Sequence, residues 1–249
     1  MRYLLNHGFA TLLALISTFA VLPSAQAAGE TVGKHSFVYS VRRDLRRCAA
    51  PACGGWWVTP VNISAQGLLT EALLAPNEAP IAKPAPEYVS TLEFGCVQWT
   101  PDQISQFSNL AESSTALISG QLLDPSPAST NAALYQYRAL VVRDAFTAAT
   151  TNAPSSLFYS VKATGIVCVA APCPSYEGDL LNSNLSQELH NIDFGKTFSS
   201  EQIAQAQTAL ATTGLVVSGT QRSFSGPAGK GVSLDINQIF WPYPAAKAE

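Results

Sequence analysis

An internal repeat constrains this fold more than any other feature of the sequence. When the chain is shifted by 120 residues, "SFVYSVRRDLRRCAAPACGGWWVTPVN" (residues 36–62) lies over "SLFYSVKATGIVCVAAPCPSYEGDLLN" (residues 156–182) without a gap. Further blocks match in the same order: "LEFG" with "IDFG" at a shift of 100, and "LISG" with "VVSG" at a shift of 99. Matching blocks in a fixed order indicate a duplicated structural unit, so we expect two related halves.

Each unit begins with a pattern typical of three strands. "FVYSV" and "LFYSV" are β-branched and aromatic, which favours strands. A cysteine-bounded turn follows, and "GWWVTPV" or "YEGDLL" returns as a second strand. "STLEFG" and "HNIDFG" then alternate apolar and polar residues, as a half-buried third strand does.

A capping box predicts where the helix of each unit begins. Thr100 and Ser199 occupy N-cap positions, and Gln103 and Gln202 follow three residues later. In such a pair, each side chain satisfies the backbone N–H of the other residue. Two more strand-like segments follow each helix. The sequence therefore predicts an α+β fold of two tandem β-β-β-α-β-β repeats, in which each antiparallel sheet carries one helix.

The N-terminus has the features of a secretory signal peptide. Arg2 precedes an apolar run over residues 9–22, and Ala25-Gln26-Ala27 supplies small residues before a cleavage site. The run is shorter than the about 20 apolar residues that a membrane span needs. We expect a signal peptide over residues 1–27, export to the periplasm or the extracellular space, and no membrane span in the mature chain.

The domain boundary follows from the repeat. We expect repeat unit 1 over residues 28–147 and repeat unit 2 over residues 148–249, because "TAATTNAPSS" between them is small, polar and unpatterned. Unit 1 also carries a proline-rich insertion at about residues 63–90. Such a segment is extended and does not enter a sheet interior, so it is either a surface loop or a docking segment.

Four of the five cysteines form two C-x4-C pairs. Metal sites and thioredoxin-like redox sites usually use the closer C-x2-C spacing, and an exported chain is expected to form disulfides. Residues that face each other across a hairpin lie within disulfide range. We expect the bonds Cys48–Cys53 and Cys168–Cys173, with pairing between the two units as the alternative.

Cys96 is left over by this pairing. Its counterpart in unit 2 is Lys196, which indicates a position open to solvent. Two interpretations remain for this thiol, a free cysteine or a disulfide-linked dimer.

Composition and motifs exclude several classes of function. The formal net charge of −3 argues against a general nucleic-acid binder, which would be basic. The sequence contains no phosphate-binding loop, no H-E-x-x-H and no G-x-S-x-G. His35 and His190 show no metal-ligand spacing to the cysteine pairs. We therefore assign no catalytic, cofactor-binding or metal-binding residue and expect no cofactor.

A candidate binding surface emerges where the two units differ. Unit 1 carries four arginines before its first cysteine, whereas unit 2 has only Lys162 there. They form either a charged edge that prevents aggregation or a strip that binds an anionic glycan or a protein partner. Trp57 aligns with Glu177, and Trp241 aligns with Thr147, so both tryptophans are either exposed contact residues or buried between the units. The arginines are Arg42, Arg43, Arg46 and Arg47.

The paired hairpins "CAAPACGGWWV" and "GIVCVAAPCPSYEGDLLN" resemble an uncharacterised domain family of secreted bacterial proteins with duplicated C-x4-C hairpins. The resemblance covers most of the mature chain. It implies a bacterial exported protein and brings no activity, cofactor or site residue. We expect an exported, non-enzymatic binding or structural protein. The alternatives are a proteinase inhibitor that presents a disulfide-closed Ala-Pro loop and a secreted hydrolase with an unrecognised site.

Overall fold

The computed structural model describes residues 36–64, 67–68, 84–113, 115–125, 137–154 and 157–244. The predicted signal peptide, His35 and most of the proline-rich insertion lie outside the described residues. The first elements in chain order are β1 (Phe37–Arg43), β2 (Trp56–Pro60), β3 (Ile63–Ser64), β4 (Gly67–Leu68), β5 (Glu87–Glu93), α1 (Pro101–Ser113), β6 (Ala116–Leu123) and β7 (Arg138–Ala148). They are followed by β8 (Leu157–Ala163), β9 (Tyr176–Leu180), β10 (Ser186–Leu189), β11 (Asn191–Asp193), α2 (Ser200–Ala211), β12 (Leu215–Gly226) and β13 (Gly229–Tyr243).

Five strands of the first half close into a ring. Antiparallel pairs join β1 to β2, β1 to β6, β2 to β5 and β6 to β7, and a parallel pair joins β5 to β7. We call this ring the first barrel. Its inward side chains pack with two residues of α1, Phe107 and Ala111, in one buried cluster. The helix α1, which lies between β5 and β6 in the chain, therefore packs into the core of the first barrel.

The second half closes in the same way. Antiparallel pairs join β8 to β9, β9 to β10, β8 to β12 and β12 to β13, and a parallel pair joins β11 to β13. Strands β10 and β11 are separated by one residue, His190, so together they complete the ring. We call this ring the second barrel. Ala206 and Leu210 of α2 are buried in its core.

The last strands of the two barrels pair with each other. Antiparallel pairing between β7 and β13 runs from Phe240 opposite Ala148 to Tyr243 opposite Ala145. At the end of β13, the Tyr243 hydroxyl donates to the Gln103 carbonyl at 2.7 Å, and its ring packs against Trp99 of the first barrel. The C-terminal strand therefore contributes to the cores of both barrels.

A third buried cluster lies between the barrels and contains residues from both. Phe240 is fully buried, and its ring centroid lies 5.8 Å from that of Phe158. The cluster comprises Val38, Val61, Leu117, Phe158, Leu181, Val216 and Phe240.

Two asparagines join the barrels through reciprocal hydrogen bonds. The Asn62 amide accepts from the Phe158 N–H at 2.9 Å and donates to the Phe158 and Leu181 carbonyls at 2.6 and 3.0 Å. The Asn182 amide accepts from the Val38 N–H at 2.6 Å and donates to the Val38 and Val61 carbonyls at 2.8 and 2.7 Å. Asn62 lies in the turn after β2 and Asn182 in the turn between β9 and β10, and both have a positive φ, 54° and 59°, a conformation that asparagine tolerates well.

The α+β prediction is confirmed in its main features: a mostly antiparallel sheet with two helices. Both capping boxes are present, for example with the Thr100 N–H donating to Gln103 Oε1 at 2.8 Å. The parallel pairs β5–β7 and β11–β13 were not predicted, since parallel strands need a long crossover that local patterns do not reveal. A helix and a strand provide that crossover in each barrel.

Candidate functional site

A groove of about 420 Å³ lies beside the β1–β2 hairpin. One charged residue of the hairpin, Arg42, lines it together with Trp57, and Glu112 faces it from the end of α1. The rest of its wall is rich in hydroxyl groups, from Ser40, Thr59, Ser113, Thr115 and Thr151. Aromatic, charged and hydroxyl side chains thus line the same concave surface.

The pairing of β1 with β2 places Arg42 directly opposite Trp57. Residues opposite each other in an antiparallel pair project from the same face of the sheet, so both side chains reach the groove. Arg42 is exposed, and within the described part of the chain it forms no ion pair. None of the described residues therefore engages its guanidinium in an ion pair, which suits a role in binding an anion.

Arg43 belongs to the opposite face. Its guanidinium carbon lies 4.9 Å from the centroid of the buried Trp56 ring, and its Nε lies 3.9 Å from Glu112 Oε1. Neighbouring residues of a strand point to opposite sides. Arg42 and Arg43 therefore do not form one continuous strip.

Arg46 is occupied by Asp44. Its Nε and Nη2 lie 2.9 Å from the two carboxylate oxygens, and Nη2 also donates to the Ala52 carbonyl at 3.1 Å. The guanidinium carbon lies 5.0 Å from the Trp57 ring and 5.4 Å from the Tyr88 ring. The Asp44 side chain is 1% exposed. Arg46 therefore fixes the loop and the Trp57 ring rather than offering a free charge.

The hydrogen bonds from Arg46 hold the pKa of Asp44 at about 2, below its ordinary value of 3.8. A carboxyl whose pKa is lowered by folding stabilises the fold above the unfolded pKa, and that contribution is lost as the pH falls through the folded pKa. Asp44→Asn is therefore expected to cost stability at neutral pH. The difference in unfolding free energy from the wild type should shrink between pH 4 and pH 2, measured by urea unfolding. A difference that stays constant over that range would contradict the role of this ion pair.

Both predicted disulfides are present. Cys48 and Cys53 have Cα atoms 5.7 Å apart, and Cys168 and Cys173 have Cα atoms 5.6 Å apart. The segment between β1 and β2, residues 44–55, is the first disulfide loop. Tyr88 holds it in place, because its hydroxyl donates to the Pro51 carbonyl at 2.8 Å and accepts from the Gly55 N–H at 3.1 Å. The two disulfides indicate an oxidising, exported environment.

The other candidate residues lie apart from the groove. Arg47 is exposed and forms no ion pair among the described residues. Trp241 is half-buried against the core of the second barrel and faces Thr147 across the β7–β13 pair. Cys96 is an exposed free thiol, as its alignment with a lysine predicted. A dimer linked through Cys96 stays a prediction.

The charged-edge interpretation of the arginines fits poorly with the topology. β6 pairs with Phe37 to Val41 and β2 pairs with Tyr39 to Arg43, so β1 has a neighbour on both sides from Tyr39 to Val41. Arg42 and Arg43 lie just past the last residue paired with β6. Any edge that they protect is therefore two residues long.

Neither a metal-binding cluster nor a membrane-spanning helix is found among the described residues. No group of three or more histidine, cysteine or acidic side chains is placed to hold a metal ion. No helix in these ranges has the length and apolar character to cross a membrane. His190 has a structural contact instead, since its Nδ1 accepts from the Val232 N–H at 3.2 Å.

Sequence reasoning missed residues of the groove and of the loop beside it. Asp44 lies inside the "RRDLRR" segment, and a single acid among four arginines is a signal for an internal ion pair. Glu112 and Thr151 are distant in sequence from the hairpin and carry no motif. Folding alone brings them to the groove.

The fold and the site define a class: a disulfide-bonded, mostly antiparallel barrel protein with a groove beside a cysteine-closed hairpin. Residues 37–246 match the family described as Domain of unknown function (DUF6748), and the chain belongs to this family. The resemblance to an uncharacterised domain family is thereby confirmed. No curated protein and no solved structure matches the chain. The family brings no specific function, so a functional proposal must come from the groove itself.

Proposed function

We propose that the protein is an exported, non-enzymatic binding protein that holds an anionic glycan in the groove beside Arg42 and Trp57. One observation carries the proposal: an arginine without an ion partner in the described residues faces the same groove as a braced tryptophan and a row of hydroxyls. Arginine presents a planar fork of donors that matches a carboxylate or sulfate.

Trp57 is suited to contact a sugar ring. Arg46 lies over its ring, and the ring of Tyr88 meets it edge-on at 5.4 Å. Because these neighbours hold the indole in one orientation, little conformational entropy remains to be lost on binding. Aromatic rings combine a large apolar face with a low entropy cost, which favours contact residues.

The hydroxyl wall supplies the remaining recognition. Ser40, Thr59 and Thr115 each offer one donor and two acceptor lone pairs. Glu112 adds an acceptor for sugar hydroxyls, and its contact with Arg43 at 3.9 Å offsets its charge. Among the described residues, the groove thus combines Arg42, which has no ion partner there, with hydroxyl groups and the Arg43-paired Glu112, a composition that suits an acidic saccharide rich in hydroxyls.

The finer features of the chain are part of the same proposal. They are a signal peptide over residues 1–27, a bacterial source and division into repeat units at 147/148. The two disulfides support the export that a signal peptide implies. Duplication is supported by the reciprocal contacts of Asn62 and Asn182, whose partners also stand 120 residues apart. The proteinase-inhibitor and hydrolase hypotheses rest on sequence alone and stay predictions.

The proposal predicts that Arg42→Glu and Trp57→Ala each weaken binding of a galacturonic acid hexamer about tenfold or more. A hydrogen bond to a charged group contributes about 1.5–3 kcal/mol, which corresponds to roughly 10–150-fold in affinity. Isothermal titration calorimetry with the disulfide-bonded protein measures the loss, and a neutral galactose oligomer should bind more weakly than the acidic one.

Arg143→Glu is the matched control. Arg143 is an exposed arginine on β7 that does not line the groove, so its charge reversal should leave binding unchanged. The proposal fails if the wild-type protein binds no acidic oligosaccharide of a panel containing uronic and sulfated sugars. It also fails if Arg42→Glu binds like Arg143→Glu.

A further inference from the structure

A second surface of the molecule is apolar and exposed. It is the tip of the second disulfide loop, residues 164–175, which connects β8 to β9. The exposed fractions of three of its side chains are 50% for Ile166, 93% for Val167 and 109% for Val169. Large β-branched side chains that face solvent together usually mark a contact surface.

Hydrogen bonds fix the base of this loop, so the position of its apolar tip is defined by the barrel below it. The Thr164 hydroxyl donates to the Pro174 carbonyl at 2.8 Å, and the Thr164 N–H donates to the Ser175 carbonyl at 2.9 Å. The Cys168–Cys173 bond closes the tip. An ordered, exposed apolar tip loses little entropy when it meets a partner.

The turn between β12 and β13 supports the loop from one side. The Ala228 N–H donates to the Ala171 carbonyl at 2.8 Å, and Pro172 is buried. A Cβ atom at Gly231 would come within 2.6 Å of Pro172 Cβ, so a glycine is required for this close approach. Pro227 and Ala228 of the turn are exposed and extend the apolar surface.

Charge around the tip is sparse and cationic. Residues 163–175 and 223–229 contain no charged side chain. Lys230 is exposed directly after the turn. Lys162 is exposed at the end of β8, where Glu177 lies opposite and offsets its charge. Lys230 forms no ion pair among the described residues, so the charge that follows the turn is not neutralised by a salt bridge there.

We propose that the second disulfide loop inserts into the surface of a lipid bilayer that carries anionic headgroups. A protein interface needs about 800 Å² from each partner, more than a few side chains at a loop tip supply. A bilayer needs no complementary shape, because each apolar side chain that enters it contributes its own favourable free energy of transfer from water. Lys230 beside the tip favours an anionic leaflet, and the segments around it present no acid to oppose that attraction.

This surface is distinct from the groove, since the two share no residue. Insertion of the tip gives shallow, reversible attachment. The protein would thereby be concentrated at a membrane surface while its groove binds a soluble or surface-linked saccharide.

Co-sedimentation with vesicles tests the proposal on the disulfide-bonded protein. We expect binding to vesicles of phosphatidylcholine and phosphatidylglycerol and weaker binding to phosphatidylcholine alone. Val167→Asp and Val169→Asp should each lower the partition coefficient about tenfold or more, since a charged group does not enter the acyl boundary. Lys230→Glu should lower it severalfold at low salt and much less at high salt.

Leu45→Asp is the matched control. Leu45 is 71% exposed, but it lies in the first disulfide loop, so its substitution should leave vesicle binding unchanged. Because all of these positions are exposed, circular dichroism should show the wild-type fold for each variant.

Three results would overturn the proposal. The wild type could fail to bind either vesicle, or Val169→Asp could bind as strongly as Leu45→Asp. Sedimentation velocity could instead show a concentration-dependent dimer that Val169→Asp abolishes, without vesicle binding. That last outcome would assign the tip to contact with a second copy of the chain.

Discussion

Asn62→Ala is expected to lower the free energy of unfolding by about 3–5 kcal/mol. The substitution removes all three hydrogen bonds between the buried Asn62 amide and the segment that contains Phe158 and Leu181. The Phe158 carbonyl still accepts from the Leu181 N–H at 3.1 Å, so the Phe158 N–H and the Leu181 carbonyl are the two groups that lose their Asn62 partner. Each buried backbone group left without a partner costs about 1–3 kcal/mol, and alanine at a φ of 54° adds roughly 1 kcal/mol of backbone strain. Urea unfolding followed by circular dichroism measures the change.

Two further substitutions separate these contributions. Asn62→Gly relieves the backbone strain and still loses the hydrogen bonds, so it should recover a minor part of the loss. Asn62→Asp keeps the acceptor for the Phe158 N–H but turns a carboxylate toward the two carbonyls, so it should destabilise at least as much as alanine.

Asn184→Ala is the control for the asparagine series. Asn184 is exposed, and its substitution should change the unfolding free energy by less than about 0.5 kcal/mol. If Asn62→Ala behaved like this control, the reciprocal amides would not hold the barrels together. Asn182→Ala should resemble Asn62→Ala, because its amide makes the same set of bonds to Val38 and Val61.

Phe240→Ala should have an effect of similar size, about 3–5 kcal/mol, because it leaves a cavity in the buried cluster that both barrels share. Phe240 is fully buried and packs on Phe158. Since the cluster draws residues from both halves, we expect a single unfolding transition at lower urea concentration. Tryptophan fluorescence, which reports mainly on the first barrel through Trp56 and Trp99, and circular dichroism should give the same midpoint.

Phe37→Ala provides the comparison for Phe240. Phe37 is 44% exposed on β1, so the same chemical change should cost less than about 1 kcal/mol. Two separate transitions in Phe240→Ala would show that the barrels unfold independently and that the shared cluster does not couple them.

Local sequence patterns predicted most of the secondary structure of this chain. The capping boxes at Thr100 and Ser199 and both cysteine pairs could be predicted because each depends on residues close in sequence. Barrel closure could not be predicted. It depends on the parallel register that places Glu93 beside Val141, and nothing near either residue specifies that pairing.

The candidate site was predicted in part. The difference between the two halves pointed to the hairpin that carries Arg42 and Trp57, and these residues do share a groove. Grouping four arginines as one surface ignored the alternation of a strand, which sends Arg43 toward Trp56. The engagement of Arg46 by Asp44 depends on the conformation of the loop, which residue types alone do not determine.

The position of Tyr243 makes the packing of the first barrel depend on the last strand of the chain. This residue, near the end of the last strand, fills the aromatic core around Trp99 and Phe107 in the first barrel. When only the residues of the first barrel have been synthesised, its aromatic core therefore lacks the Tyr243 ring. The aromatic packing of the first barrel is therefore complete only after the C-terminal strand has been synthesised and has docked.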